Sequence, residues 1–589
     1  MLSQRELREA LDARVRAAGA PGPRAAAVAV LHSCELPRFA QSVLDFTAAL
    51  APDTARTWLA DHTRTVFLAG NPRNLASRLP PSFTSADGRI ACTVPLRTHQ
   101  EYGPWLARSA EGEARVLTSE TPRLFFTTSG STGGRKRVPV TESFVKRVYL
   151  PFFQGAMGVP AQYHPEVFGR GAVCLNLRHD RLARPAVSAS GRPSLGPSQA
   201  DLRGGFGLRL EQPGSRAPWA ELPVPVDDHA YLDKLYVRIR MAAEHDVRSG
   251  IGHNPTMIAM LPELLAQWWP DLLKDIRDGT HLGEPGGTPN PRGAAELERR
   301  AAAAPGGRPT PATVWPRMRL LYCWTSGLAS LYLPRLKEAY GPDVVVLPTP
   351  PAASEGPVGV PLDRHPTAGP LAVSCALYEF VDASQDVTPD SPTLLYDDLE
   401  PGRDYHVVLS HLGGLYRYVL GDIAHVVDRV GTVPRVEYAG RATLSDAAGE
   451  RLRELHVVRA VREAAKAAGV DVVNLTCRTE DGPDRRPPLH AGRRPASAPA
   501  GGRAALLAGP GGRGTGPGEP RLPQRAVHGR PRRRPRRPVA AAAFTEHWHH
   551  RLAAGMRPPE IKDQVFQHDP AAWSRLRNHG RERTETRLA

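Results

Sequence analysis

Leu124-Phe-Phe-Thr-Thr-Ser-Gly-Ser-Thr-Gly-Gly-Arg-Lys-Arg-Val-Pro139 decides how this chain is read. Its first four residues, Leu124 to Thr127, are apolar or β-favouring and predict a short strand. The strand breaks into consecutive hydroxyls and glycines and then into cations. Glycines let the backbone approach an anion closely, while Ser and Thr hydroxyls and backbone N–H groups donate to phosphate oxygens. Lys136 adds a point charge. The spacing is not that of a Walker P-loop, because Lys136 follows Arg135. The same residue types also build ordinary surface turns. An apolar run from Phe144 to Phe153 follows and reads as a helix, which completes a βα unit.

Outward from that unit, Val116-Leu117 reads as a strand on the upstream side. Far upstream, Ser3 to Glu6 forms a capping-box pattern ahead of Leu7, Leu11 and Val15. Downstream, a Gly/Pro/Arg-rich loop spans Gly279 to Thr310 with a helical patch from Ala294 to Ala303. Short apolar strands are expected at Leu320–Cys323, Val344–Leu347, Ala372–Cys375 and Tyr405–Leu409, alternating with helices such as Tyr332–Tyr340. That alternation predicts an α/β architecture. From Gly449 the pattern becomes short and helical, as in a smaller appended domain, and no fixed-period repeat is present.

The composition narrows the class. At 589 residues the chain has room for several domains, and 41% hydrophobic residues suffice for a large core. The run Ala25 to Leu31 is too short to span a bilayer, and no signal-peptide pattern precedes it, so no membrane association is expected. The six cysteines are scattered, without a CxxC pair, which favours a reducing compartment, the cytoplasm. The net charge of +16 is concentrated between Pro483 and Ala540, where fourteen arginines stand against two acids. That segment has twelve prolines and lacks Phe, Trp, Tyr, Ile and Met, so it is expected to lack a packed core. Three readings of it stand open: a flexible linker, a nucleic-acid-binding tail, or coding sequence read out of frame. No aromatic residue interleaves its arginines for base stacking, so nucleic acid is not the expected partner.

Two more stretches carry chemistry. Ala352-Ala-Ser-Glu-Gly356 follows the Val344–Leu347 strand, and ligand groups gather at strand C-termini in open α/β sheets. The alternative is a plain N-capping Ser-Glu pair. Gly413-Gly-Leu-Tyr-Arg-Tyr-Val-Leu-Gly-Asp422 ends in an acid whose two oxygens could accept both hydroxyls of a ribose. The alternative there is an Asx turn. His547, His549 and His550 flank Trp548, but on one helical turn they face different sides and suit a single metal ion poorly.

These three sites, in this order, resemble the auxin-responsive (Gretchen Hagen) acyl-acid amido synthetase family of the adenylate-forming superfamily. The resemblance extends to Val94-Pro-Leu-Arg-Thr-His-Gln-Glu-Tyr102, Gly112 to Leu117, Asn254-Pro-Thr256, Leu272 to Gly279, Trp315-Pro316, Tyr378-Glu-Phe380 and Gly414 to Tyr418. It covers about residues 90 to 480, and Phe544 to Gln567 more loosely. It implies a large N-terminal adenylate-forming α/β domain over 1–442 with ATP and acyl sites, and a small α+β C-terminal domain over 443–482 and 541–589. The arginine-rich 483–540 interrupts the small domain. It also implies phosphate contacts from Ser129, Gly130, Ser131, Thr132, Gly133 and Lys136, and an adenine frame at Ala353 and Ser354. Glu355 is implied to ligate Mg²⁺, Asp422 to hold the ribose, Arg441 to stand near the domain hinge, and Lys562 to reach the site as a catalytic cation. The implied activity is ATP-dependent: a small carboxylic acid is activated as acyl-AMP and passed to an amine or amino acid. Transfer to CoA or a carrier-protein thiol, or an impaired nucleotide-binding relative, are the rivals. Two departures stand out. Pro351 occupies the place of the family's adenine-stacking Tyr, and the arginine-rich segment stands where small-domain strands belong.

Overall fold

The computed structural model describes residues 95–118, 120–127, 136–149, 152, 156, 164–168, 171–177, 186–196, 206, 217–361, 365–372, 375–411, 413–430, 433–442, 453–469, 471–478, 489–493 and 539–576. Ser129 to Gly133 of the expected phosphate loop, the helix expected after Ser3, and most of the arginine-rich segment lie outside these residues.

Among the described residues the large domain contains three sheets that frame the site, besides a two-stranded ribbon of β7 (Thr280–His281) and β8 (Glu284–Pro285). In the first, β2 (Arg137–Val140), β1 (Leu124–Thr127), β5 (Pro193–Leu195) and β4 (Ala186–Val187) lie in that order. β1 and β2 pair antiparallel, with Thr127 opposite Arg137, so the ends of the hydroxyl-glycine stretch are held side by side. In the second, β10 (Val345–Pro348), β9 (Leu320–Cys323), β6 (Val247–Ile251) and β3 (Val173–Asn176) are parallel throughout. β9 is buried along its whole length, as a strand covered on both faces must be. The third is antiparallel: β11 (Gly369–Pro370), β15 (Val433–Arg441), β14 (Tyr418–Val430), β13 (Asp404–Ser410) and β12 (Leu377–Asp382).

Helices close the parallel sheet. α1 (Gly103–Glu111) packs Leu106 into the core of the antiparallel sheet. α2 (Tyr231–Ala242) and α3 (Pro255–Asp278) bury a continuous apolar face with Trp315 and Leu321. Asn254 caps α3, its side chain accepting from Thr256 N, and Gly279 ends it in the left-handed region at φ 72°. α4 (Pro291–Ala303), capped by Asn290, is longer than the expected Ala294–Ala303 patch. α5 (Leu333–Tyr340) matches the expected helix closely.

Three expectations fail in detail. Val116-Leu117 is buried but forms no strand, because the Leu117 carbonyl accepts from the Tyr416 phenol at 2.6 Å rather than from a neighbouring strand. Of the strand expected at Ala372–Cys375 the described ends are in none: Ala372 N bonds Val358 O at 2.8 Å and Cys375 N turns back onto Ala372 O. The helix expected from Phe144 begins at Glu142, capped by Thr141, and is wound as a π-helix over Val145–Tyr149.

The small domain holds α6 (Glu454–Ala467), α7 (Ala541–Ala553) and a sheet of β16 (Val472–Cys477), β17 (Leu489–Arg493) and β18 (Val539–Ala540). β17 and β18 lie at the two ends of the arginine-rich segment expected to lack a packed core, and at these ends the backbone is paired. Val457, Val458, Leu475 and Val565 bury against Leu331 of the large domain, so one apolar cluster joins the domains. No described helix is long and apolar enough to cross a membrane.

Candidate active site

The site begins where β10 ends. After Pro348 the chain makes a tight turn in which Ala353 N donates to Gly356 O at 3.0 Å and Gly356 N to Ala353 O at 3.2 Å. The turn presents Glu355, whose residue surface is only 4% exposed. A buried carboxylate needs donors. Tyr418 Oη donates to its Oε1 at 3.0 Å and Lys136 Nζ stands 3.5 Å from the same oxygen. No hydrogen bond reaches Oε2 among the described residues. Behind the turn, His411 Nε2 donates to the Glu355 carbonyl at 2.6 Å, while His411 Nδ1 accepts from Gly413 N at 2.9 Å. These two bonds require the neutral ring, and burial lowers His411 from 6.5 to about 4. Gly413 is needed here, since a Cβ on it would lie 2.7 Å from His411 Cε1.

Tyr418 is aimed by its own strand. The phenol of Tyr102 accepts from Tyr416 N at 2.7 Å, pinning the stretch ahead of β14. Arg417 adopts φ 45° and its guanidinium forks onto Glu379 at 3.1 and 2.9 Å, a buried bidentate pair that holds the strained backbone. Tyr418 follows directly, its ring 5.7 Å from that of Tyr102. Burial and the nearby Glu355 push the Tyr418 hydroxyl far above its ordinary value, so it stays a donor.

Asp422 and Arg441 are register partners on β14 and β15, with Arg441 Nε 3.9 Å from Asp422 Oδ1. Desolvation pushes the Asp422 carboxyl up to about 6 against the pull of Arg441, with Glu355 pushing in the same direction, although 26% of its side chain stays open. Gly440, at φ 115°, lets the first residue of α6 approach: a Cβ there would sit 3.0 Å from the Glu454 Cβ. Burial lifts Glu454 to about 7, with Arg441, Asp422 and Lys562 all acting on it. Lys562 completes the cluster from the small domain, its Nζ 4.6 Å from the centroid of Trp324. Trp324 stacks on His253 at 5.9 Å and 11°. Burial, and then Arg441, lower the Lys562 ammonium, while Asp422 and Glu355 support it.

Of the residues expected from sequence, Lys136, Glu355, Asp422, Arg441 and Lys562 therefore share one electrostatic site, with Ala353 and Ser354 in its turn. Ser129, Gly130, Ser131, Thr132 and Gly133 lie outside the described residues. Pro351 lies at the same turn, its carbonyl accepting from Val358 N and Gly359 N. Sequence reading missed Tyr418, His411 and Glu454. Tyr418 stood inside a quoted motif, but nothing in a linear pattern reveals that its hydroxyl meets Glu355. Among the described residues no group of three or more His, Cys, Asp or Glu is placed to hold a metal. His547 is buried and lowered to about 4, and Trp548 is buried in the helical core.

Known proteins resemble this chain over most of its length. The GH3 family N-terminal domain matches residues 91–346 and the GH3 family central domain matches residues 369–441, together more than half of the chain. A family of unknown function also matches residues 2–144. A rice (Oryza sativa subsp. japonica) protein named "Probable indole-3-acetic acid-amido synthetase GH3.12" is 25% identical over 61% of this chain and 64% of its own length. The rice "Jasmonoyl--L-amino acid synthetase GH3.5" is 23% identical over 65% of this chain and 70% of its own. The chain thus spans about two thirds of the length of these relatives. The solved structure "AtGH3.15 acyl acid amido synthetase in complex with 2,4-DB" shares the fold, with a TM-score of 0.64 at 16% identity over 95% of this chain and 97% of that one. With both domain matches in chain order and this fold over nearly its whole length, the chain belongs to the GH3 family.

Proposed function

We propose that this chain is an ATP-dependent acid–amine ligase that activates a small carboxylic acid as acyl-AMP and transfers the acyl group to an amine or amino acid. The observation that carries the reading is the convergence of Glu355, Asp422, Arg441 and Lys562 from two domains in one electrostatic cluster. Amido-synthetase relatives support the same class.

In the first step an oxygen of the substrate carboxylate attacks the α-phosphorus of ATP. The bond to the bridging oxygen breaks, and pyrophosphate leaves with that electron pair. Asp422, when ionised, accepts from the ribose hydroxyls and fixes the nucleotide. Lys562 offers a cation to the charge that develops on the α-phosphate, where a group aimed at transition-state charge acts most strongly. The hydroxyl-glycine stretch from Ser129 to Gly133 and Lys136 serve the remaining phosphates. Mg²⁺ fits Glu355, a buried carboxylate with Oε1 already engaged and Oε2 left over. A divalent ion held there would neutralise phosphate oxygens. In the second step the amine nitrogen attacks the acyl carbon, the bond to the AMP oxygen breaks, AMP departs, and a proton leaves the nitrogen for solvent. Cytoplasmic residence suits the thiols, which burial raises to about 12 at Cys323 and Cys477 and so keeps protonated.

The test is product identity. Protein, ATP, Mg²⁺ and an aromatic or aliphatic acid are offered an amino-acid mixture in one reaction and CoA in another, with products read by mass spectrometry. The expected product is the amide. A thioester without amide contradicts the acceptor assignment.

A further inference from the structure

Lys562 lies between two anchored residues. Asn254, which caps α3 through Oδ1, donates its Nδ2 to the carbonyl of Ile561. Thr256 Oγ1, two residues along the same helix start, donates to Asp563 Oδ2 at 3.2 Å, and the Tyr332 phenol donates to that same oxygen. Asn474 of β16 donates its Nδ2 to Tyr332 Oη at 2.9 Å and so holds that phenol from the small domain. The carboxylate thus sits at the amino-terminal end of a 24-residue helix, where the helix dipole favours negative charge. His253, which stacks on the Trp324 ring beneath Lys562, belongs to the loop that carries Asn254. The stretch from His253 to Thr256 therefore backs the Trp324 floor beneath the ammonium and anchors both neighbours of Lys562.

We propose that Asp563 is the positioning residue for Lys562: clamped by Thr256 and Tyr332 of the large domain, with Tyr332 held in turn by Asn474 of the small one, it holds the 561–563 segment so that the ammonium stays over Trp324 and beside Asp422 and Glu355. This rests on the role given to Lys562 in acid activation. Burial raises the Asp563 carboxyl above its ordinary value, and the donors from Tyr332, Asn474 and Thr256 oppose that rise. A carboxylate that depends on these donors is sensitive to the loss of any one of them.

The test uses the full chain with Asp563→Ala and Tyr332→Phe. Lys562 exposure is read by acetic anhydride labelling and mass spectrometry, which needs no activity. Labelling of Lys562 is expected to rise several-fold in both variants while that of other lysines holds. Single-turnover acyl-adenylate formation is expected to fall about tenfold in Asp563→Ala, with ATP affinity and amide formation from a prepared acyl-adenylate within about threefold of wild type. In a Lys562→Ala background, Asp563→Ala should cost nothing further. Unchanged Lys562 labelling, equal losses in both half-reactions with a lowered Tm, or additive losses in the double variant each overturn the proposal. A wild type that activates no acid sinks the functional reading, and the labelling then still decides whether Asp563 places Lys562.

Discussion

Asp422 is a residue whose cost to the fold and use to the site point in opposite directions. Its carboxyl is raised to about 6 from an ordinary 3.8, so the folded protein holds the proton more tightly than the unfolded chain does. Stability from this group is present at pH below 3.8 and is lost as pH rises through about 6. Asp422→Asn should therefore raise Tm at pH 7.5 relative to wild type, because it removes a desolvated charge. In the ribose-holding role proposed for Asp422 the same change leaves one oxygen acceptor in place of two, and kcat/KM for ATP should fall by at least about tenfold. In the wild type, KM for ATP should rise as pH falls below about 6. A thermal melt and an ATP titration on both proteins check the pair of effects; a destabilised variant with unchanged ATP kinetics contradicts them. His411 works the other way, since a neutral ring is required behind Glu355 and acid works against it.

At the scale of elements, the meeting of β14, β15 and α6 carries the site across two domains. Gly440 lies at φ 115° against Glu454, and any side chain there both strains the backbone and strikes the helix start. Gly440→Ala should lower stability by about 1–3 kcal/mol and slow acid activation, as read by denaturant melts and pyrophosphate release. A variant as stable and active as wild type contradicts this account of the junction. Much of this level was legible in the sequence. The run Leu320 to Cys323 reads as a buried strand because every position is apolar, and it is one. Glu355 and Asp422 stand out by motif order, whereas Lys562 follows only from the family resemblance. Where the reading failed, long-range bonds decided: Leu117 gives its carbonyl to Tyr416, almost three hundred residues away, and Ala372 gives its N–H to Val358. Tyr418 and Glu454 escaped for the same reason, because their partners lie on other strands and another domain. The strand Leu489–Arg493 escaped because its arginine-rich surroundings outweigh a five-residue pattern.

At the scale of the molecule, the large domain supplies the acid pair Glu355 and Asp422, and the small domain brings Lys562 onto Trp324. The apolar cluster of Leu331 with Val457, Val458, Leu475 and Val565 and the anchors on Ile561 and Asp563 hold the two domains in that relation. An arrangement of this kind has one consequence that no nucleotide-binding relative without chemistry shares: acid-dependent exchange of pyrophosphate into ATP. The measurement is isotopic exchange of labelled pyrophosphate into ATP by the full chain with Mg²⁺, across a panel of aromatic and aliphatic carboxylic acids, without amine. Exchange that appears only with particular acids, and that falls by at least about tenfold in Glu355→Ala, is the predicted result. ATP binding without exchange for any acid, or exchange unaffected by Glu355→Ala, contradicts the account.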